Sequence, residues 1–483
     1  MAEIKNNFLG SKMNRDVDDR LLPPNEYREA YNLQINTSEG SDTGTLQNVL
    51  GNQLIPQADF NALESLPGGT LTCIGALVDN TKDNIYIFLT DHTDSEFSPS
   101  YNPSAKNFIY VYNTKGNFST KLVEGPFLNF STRNPIIGVN ILEDLLFFTD
   151  NRNQTRKINV SKALNNANYY TTEDQISVAK ISPLYPISLY KASVAAQGQY
   201  ETTMYDVQSE HYPDGTDDAV HFQLNYPGDP SYLESRMVRF SYRYKFEDGE
   251  YSIFAPFTQI AYIPKQDGYF LGTDEEEAFR STIVKFMQNK VNNILLQIQL
   301  PCPANQLSSS LKITEIDILY KESDSLSVSV IDSVPATTIA TKSGASTSYE
   351  YNYQSKKPFK TLPERDLIRV YDKVPLKALA QEVVSNRVVY SNYQDKASYP
   401  KYLNYNVGYG LKYNFGFDSA EGTSIIEYPN HTVKQNRNYQ VGVILSDRFG
   451  RQSGVILSDS FPADNNSGFG ASSLHVPYFD DNT

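Results

Sequence analysis

Tryptophan is absent from the 483 residues, and cysteine, methionine and histidine are scarce, at 2, 5 and 5. Two cysteines as far apart as Cys73 and Cys302 make no disulfide framework, and they read as buried apolar thiols. The histidines, His92, His211, His221, His431 and His475, lack metal-ligand spacing. His211 and His221 flank Asp214, Asp217 and Asp218, but that cluster reads as solvated loop. No charge-free apolar run approaches the roughly 20 residues of a membrane helix, so no membrane insertion is expected. The opening MAEIKNNFLGSKMNRD has no apolar signal-peptide region, which points to a soluble protein made in a cytoplasm. There is no P-loop, dinucleotide fingerprint, zinc-binding HExxH or nucleophile elbow. No enzyme and no cofactor is implied. Asp79 to Asn84 lacks the glycine and the distal glutamate of a calcium loop and reads as a polar turn. Positive charge is short too. A net charge of −14 supplies none of the phosphate neutralisation that DNA binders use.

What is present is tyrosine, 35 of them, together with many Asn, Ser and Thr. Tyr and Thr favour strands, and Asn, Gly and Ser favour the turns between them. The chain should be mainly β. Between Cys73 and Ala163 short apolar strands recur. IGALVDNTKDNIYIFLTD from Ile74 and IGVNILEDLLFFTD from Ile137 align, with restarts roughly 60 residues apart, a spacing compatible with blade-like repeats. The expectation is a β-propeller, with Ala378 to Tyr393 returning to it.

An inserted sandwich-like α+β domain is expected between. Val238, Phe240, Tyr242, Tyr244 and Phe246 alternate with Arg239, Ser241, Arg243 and Lys245, the period-two pattern of a half-buried strand with a solvated basic face. Glu247-Asp248-Gly249 turns the chain into a return strand, Tyr251 to Ile263. Asp274 to Lys290 reads as a helix, N-capped by Asp274, with Glu275, Glu276 and Glu277 in its first turn. Ile316 to Tyr320 and Leu326 to Val330 form a hairpin. Tyr439 to Leu457 forms another around Asp447-Arg448-Phe449-Gly450, and it opens a second sandwich that the chain leaves incomplete, so a continuation past Thr483 is expected. The domain reading is 1–60 arm, 61–189 blades, 190–360 insertion, 361–401 return and 402–483 second sandwich.

The segment Met13 to Asn52 is too polar for a core yet full of residues with fixed geometric uses. Arg15, Asp16, Asp18, Asp19 and Arg20 form dense charged pairs ahead of Pro23-Pro24, followed by Tyr27 and a short Leu33, Ile35 alternation. It reads as an extended arm, and these residues are the candidates for docking on a neighbouring subunit. The run MNRDVDDRLLPPNEYREAYNLQINTSEGSDTGTLQNVLGN resembles the opening of the tail nozzle proteins of short-tailed phages, called the muzzle in crAss-like phages. RFSYRYKFEDGEYSIFAP, LPERDLIRVYDKVPLKALAQEVVSNRVVYSNY and YQVGVILSDRFGRQSGVIL are similar to stretches of the same family. The resemblance implies a virion structural protein in a distal ring of six copies. It would contact other tail ring or hub proteins and surround the channel through which viral DNA leaves without specific binding. Two other readings fit the composition: a glycan-binding propeller that recognises the host surface, and a propeller glycoside hydrolase.

Overall fold

The computed structural model describes residues 12–35, 46–49, 51, 71–96, 99–116, 118–166, 168–191, 205–206, 229, 232–233, 235–261, 289, 291–367, 374–409, 433–458 and 472–478. The chain forms two compact units, Met1–Gly68 and Gly69–Thr483. Apart from Asn289, the expected helix Asp274 to Lys290 lies outside the described residues. So does the loop with His211 and His221.

The first unit carries β1 (Lys12–Met13), β2 (Glu26–Tyr27), β3 (Leu33–Ile35) and β4 (Leu46–Asn48). β1 pairs with β2 in parallel, and β3 with β4 antiparallel. The stretch expected to be extended therefore closes into a loop. Residues 14–25 leave Met13 and return to Glu26 beside it, held by Asn14 N–H to Tyr27 O at 2.9 Å and Glu26 N–H to Pro23 O at 3.0 Å. Pro23-Pro24 supplies the bend, since proline fixes φ and suits a turn.

In the second unit, β5 (Thr72–Asp79), β6 (Asn84–Thr90), β7 (Asn107–Asn113) and β8 (Phe118–Glu124) form an antiparallel meander. Asp79 to Asn84 is the β5–β6 turn, in which Asp79 Oδ1 accepts from Thr81 N–H at 2.9 Å. β9 (Gly138–Leu142), β10 (Leu145–Thr149) and β11 (Arg156–Asn159) form a second meander. The two share one core, in which the rings of Phe88, Phe130 and Phe148 meet at centroid distances of 5.2–6.1 Å. Edge-to-face and tilted aromatic contacts of this kind are favourable. Ile136 N–H donates to Ile74 O at 2.8 Å, so the two repeated units start side by side. Cys73, expected inside, is exposed because β5 is an edge strand, and Cys302 is only half-buried.

The next strands are β12 (Ser188–Lys191), β13 (Tyr205–Asp206), β14 (Val238–Phe246), β15 (Val291–Gln299), β16 (Ile313–Glu322), β17 (Ser329–Pro335), β18 (Ser348–Tyr353) and β19 (Lys360–Thr361). β14-β16-β17-β19 make one sheet, and β15 joins β12, β13 and β18 in another. A single core of aromatic and β-branched side chains joins them, among them Phe240, Tyr242, Ile316, Ile318, Leu296 and Tyr353. The expected hairpin after Ile316 is present, with Leu319 opposite Val330.

The basic face of β14 is a correction. The centre of the strand is buried on both faces, with Ser241 and Arg243 enclosed and Arg239 and Lys245 half-buried. Arg243 and Lys245 stand opposite Asp317 and Glu315 on β16, charges that lie too far along the chain for local alternation to reveal. The return strand is also corrected. Residues 251–261 advance three for every two of β14, donating from Ser252, Ala255, Thr258 and Ala261 to Tyr244, Tyr242, Phe240 and Val238 carbonyls at 2.9 Å. A regular ladder cannot do this, so hydroxyls fill in. Ser252 Oγ accepts from Tyr244 N–H at 2.9 Å, and Thr258 Oγ1 from Phe240 N–H at 3.0 Å.

β20 (Lys377–Val384) and β21 (Arg387–Gln394) form a hairpin. Ser385 and Asn386 both take positive φ at its turn, the backbone that tight hairpins require. The hairpin crosses β9 and β10. Thr149 Oγ1 donates to Ala378 O at 2.7 Å, and a Cβ on Gly138 would lie 2.8 Å from Gln381 N. β20 and β21 nonetheless form a sheet of their own. No closed barrel or propeller is found among the described residues, so the expected propeller to which Ala378 to Tyr393 would return is not seen. β22 (Tyr402–Leu403), β23 (Arg437–Gln440), β24 (Leu457–Ser458) and β25 (Ser473–Val476) complete the chain. β22 pairs with β24 and β23 with β25. The expected 439–457 hairpin survives in the mutual hydrogen bonds of Val443 and Ile456, at 2.8 and 2.9 Å.

Candidate functional site

Two of the arm candidates, Arg15 and Asp19, pair across the loop, while Asp16, Asp18 and Arg20 bond within two positions of themselves. Arg15 meets Glu29 at 3.4 Å, and Asp19 meets Arg28 at 2.5 Å. Asp18 Oδ1 accepts from Arg20 N–H at 3.0 Å, while Asp16 N–H donates to Asn14 Oδ1 at 3.2 Å. Tyr27 lies in β2. Glu26 is held below its ordinary carboxylate range, first by the Asn14 side-chain amide at 2.6 Å and then by Lys12. Among the described residues of this unit no apolar side chain is buried, and Leu21 and Tyr31 are 74% and 78% exposed. Two-stranded sheets without a core are marginal in water. What this geometry offers is a loop surface cross-linked by three ion pairs, with Leu21 and Tyr31 turned outward.

In the second unit, two acidic turns converge on one stretch of chain. Glu247 to Glu250 sits against Lys157, Lys162 and Lys180, with contacts of 2.8–3.9 Å. Asp447 to Arg451 sits beside it. Phe449 is buried against Ala179, Arg448 Nη2 meets Asp174 at 2.9 Å, and Ser182 N–H donates to Arg448 O at 3.0 Å. Arg451 is fully enclosed, bonded to Asp447 at 2.9 Å, to Val374 O at 2.8 Å and to Gln154 at 3.1 Å. A cavity of about 790 Å³ lies between the two turns, bordered by Ile253, Phe254, Phe257, Leu184 and Val374.

Arg243 lies at the wall of that cavity, 2% exposed. It meets Asp317 at 2.9 Å and Asp366 at 3.7 Å and stacks on the Tyr251 ring at 3.8 Å. Lys245 meets Glu315 at 2.8 Å, and that carboxylate holds its ammonium above the ordinary lysine range. These two members of the basic stripe are neutralised by β16.

Exposed apolar groups gather late in the chain. Val384, Val389 and Tyr393 on the β20–β21 hairpin, and Tyr402, Ile444 and Val455 beyond it, are 50–65% exposed. Among the described residues no cluster of three or more His, Cys, Asp or Glu could hold a metal ion, and no helix is long and apolar enough to cross a membrane.

The sequence reading missed the lysine seat. Nothing local marks Lys157, Lys162 and Lys180 as a group, and the partners of Lys162, Glu247 and Asp248, lie 85 and 86 positions along the chain. The recurring acidic turn with glycine was the available signal, and it marked one partner only.

Buried charges that pair, small sheets around aromatic cores, and a first unit with no buried apolar side chain among its described residues define a β-rich protein without a described metal cluster. The family model for the Crassvirus muzzle protein matches residues 4–293, more than half of the 483, and the chain belongs to that family. No curated protein and no solved structure matches the chain. Membership makes it a structural protein of a phage tail and a component of the virion.

Proposed function

We propose that the chain forms the distal nozzle ring of the tail, surrounding the channel through which DNA leaves, with the first unit docking on neighbouring subunits or on tail ring or hub proteins. The family match over residues 4–293 carries this reading, because it joins the arm to the β-meanders and to β14 as one inherited assembly. The paired state of Arg243 and Lys245 supports passage without grip. A basic belt needs free cations to release counterions from phosphate, and these two are occupied.

The reading is tested by imaging the purified chain and isolated tails, with filter-binding of duplex DNA across salt alongside. The expected result is a ring at the distal tail end, and DNA binding that is weak and lost by about 150 mM salt. Tight, salt-resistant binding, or absence of the chain from tails, would overturn it.

A further inference from the structure

The turn Glu247–Glu250 and its lysine seat are unusual for the amount of charge they enclose. Lys157 and Lys180 are almost wholly buried, with 4% and 6% of their side chains exposed. Lys157 Nζ lies 3.2 Å from Asp248 and 2.8 Å from Glu250. Lys162 Nζ lies 3.1 Å from Glu247 and 3.3 Å from Asp248, and Lys180 Nζ lies 3.9 Å from Glu250. Tyr169 donates its hydroxyl to Glu247, and Lys312 lies 4.0 Å from the centre of that tyrosine ring. Lys180 also donates to Gln175 O at 3.4 Å and lies over Phe246. The Ser177 hydroxyl, three positions before Lys180, is buried without a hydrogen-bond partner. The lysines come from the end of the second meander and the chain after it. The acids come from the tip of the β14 turn. The contact therefore joins the two halves of this unit through charge.

We infer that the acidic turn and the lysine seat form a proton-sensitive latch between the β9–β11 meander and the β14 sheet, loosened by acid and tightened by mild alkali as a local event.

The sign follows from which state binds protons. Burial lowers Lys180 to about 8, outweighing the attraction of Glu250, with Lys157 pushing the same way as burial and Asp248 and Asp174 opposing it. A seat opened to water restores the ordinary lysine value. Between these values the open state holds the extra proton, so rising pH favours closure. Lys312, also lowered by burial, acts in the same direction. Burial raises Asp248, but Lys157 and Lys162 outweigh it and hold the carboxyl below its ordinary range. Acid therefore favours the open state at this group too. Lys162 is disfavoured by burial but held above its ordinary value by Glu247 and Asp248, so it titrates beyond the window. Asp174, raised by burial, runs against the trend, and its nearest cation is Arg448 of the other turn.

Hydrogen exchange of the full chain at pH 3, 7 and 9, corrected for intrinsic rate, reads the latch. The reporters are Phe246 N–H, bonded to Glu250 O at 2.8 Å, Glu247 N–H, bonded to Lys312 O at 3.1 Å, and Gly249 N–H, bonded to Phe246 O at 3.0 Å. The Tyr242 and Tyr244 amides of β14 are the internal reference. Opening at the turn is expected to fall about tenfold from pH 7 to pH 9, and to rise at pH 3, below the ordinary aspartate value, with the reference unchanged. Lys180→Met should abolish most of the alkaline step. Asp248→Asn, on the partly exposed turn, should weaken the acid step and leave the alkaline one, and it serves if Lys180→Met does not fold. Equal corrected exchange at pH 7 and pH 9 in the unaltered chain would overturn the latch. So would exchange of turn and reference amides in step.

Discussion

At the scale of single residues, this protein keeps charge inside by pairing it. Arg243 shows the rule most clearly. Its partner Asp317 also accepts from Ser333 Oγ at 2.7 Å, so both oxygens of that buried carboxylate are bonded. Removing one member of such a pair leaves the other buried and unbalanced, which costs roughly 3–5 kcal/mol, whereas replacing both by apolar groups of similar volume is close to neutral. Arg243→Met is therefore expected to lower the urea midpoint strongly, and Arg243→Met with Asp317→Leu to recover most of it. A double variant as unstable as the single one would show that the stacking on Tyr251 matters more than the charge balance. The alternation of β14 was legible in its sequence because period two is a local property. That its second face is buried was not, because the acids that neutralise it stand on β16, 70 and 74 positions away.

Among elements, the β20–β21 hairpin depends on one close approach. It crosses β9 where Gly138 leaves room, and a Cβ there would meet Gln381 Cγ at 2.6 Å and Gln381 N at 2.8 Å. The second of these is backbone and cannot rotate away. Gly138→Ala is expected to cost about 1–3 kcal/mol as an overpacked contact. The loss should appear as faster proteolysis within 377–394, with the β5–β8 meander still protected. Uniform sensitivity along the chain would contradict this placement. The hairpin itself was legible, since AQEVVSNRVVYSNY places two turn residues between two apolar runs. Its place in the fold was expected only as a return to a propeller. The structure has it crossing the meander with its own ladder closed, a choice decided by packing that no local pattern encodes. The loop 14–25 is similar. Its charged pairs were visible, but the partners that hold it, Glu29 and Arg28, are set by how the loop closes.

For the whole molecule, the claim is that a folded β-scaffold and a polar first unit divide the work. Among the described residues, the buried apolar clusters lie in the scaffold from Gly69 onward, and the first unit has none. Stability should therefore reside in the first of these and assembly in the second. The most direct measurement is incorporation into tails of a chain lacking Met13 to Asn52, set beside its thermal unfolding. The account predicts that the shortened chain unfolds within a few degrees of the full one, as expected when no core is removed, yet is missing from tails purified and imaged alongside the complete protein. Tails that take up the shortened chain as fully as the intact one would contradict it.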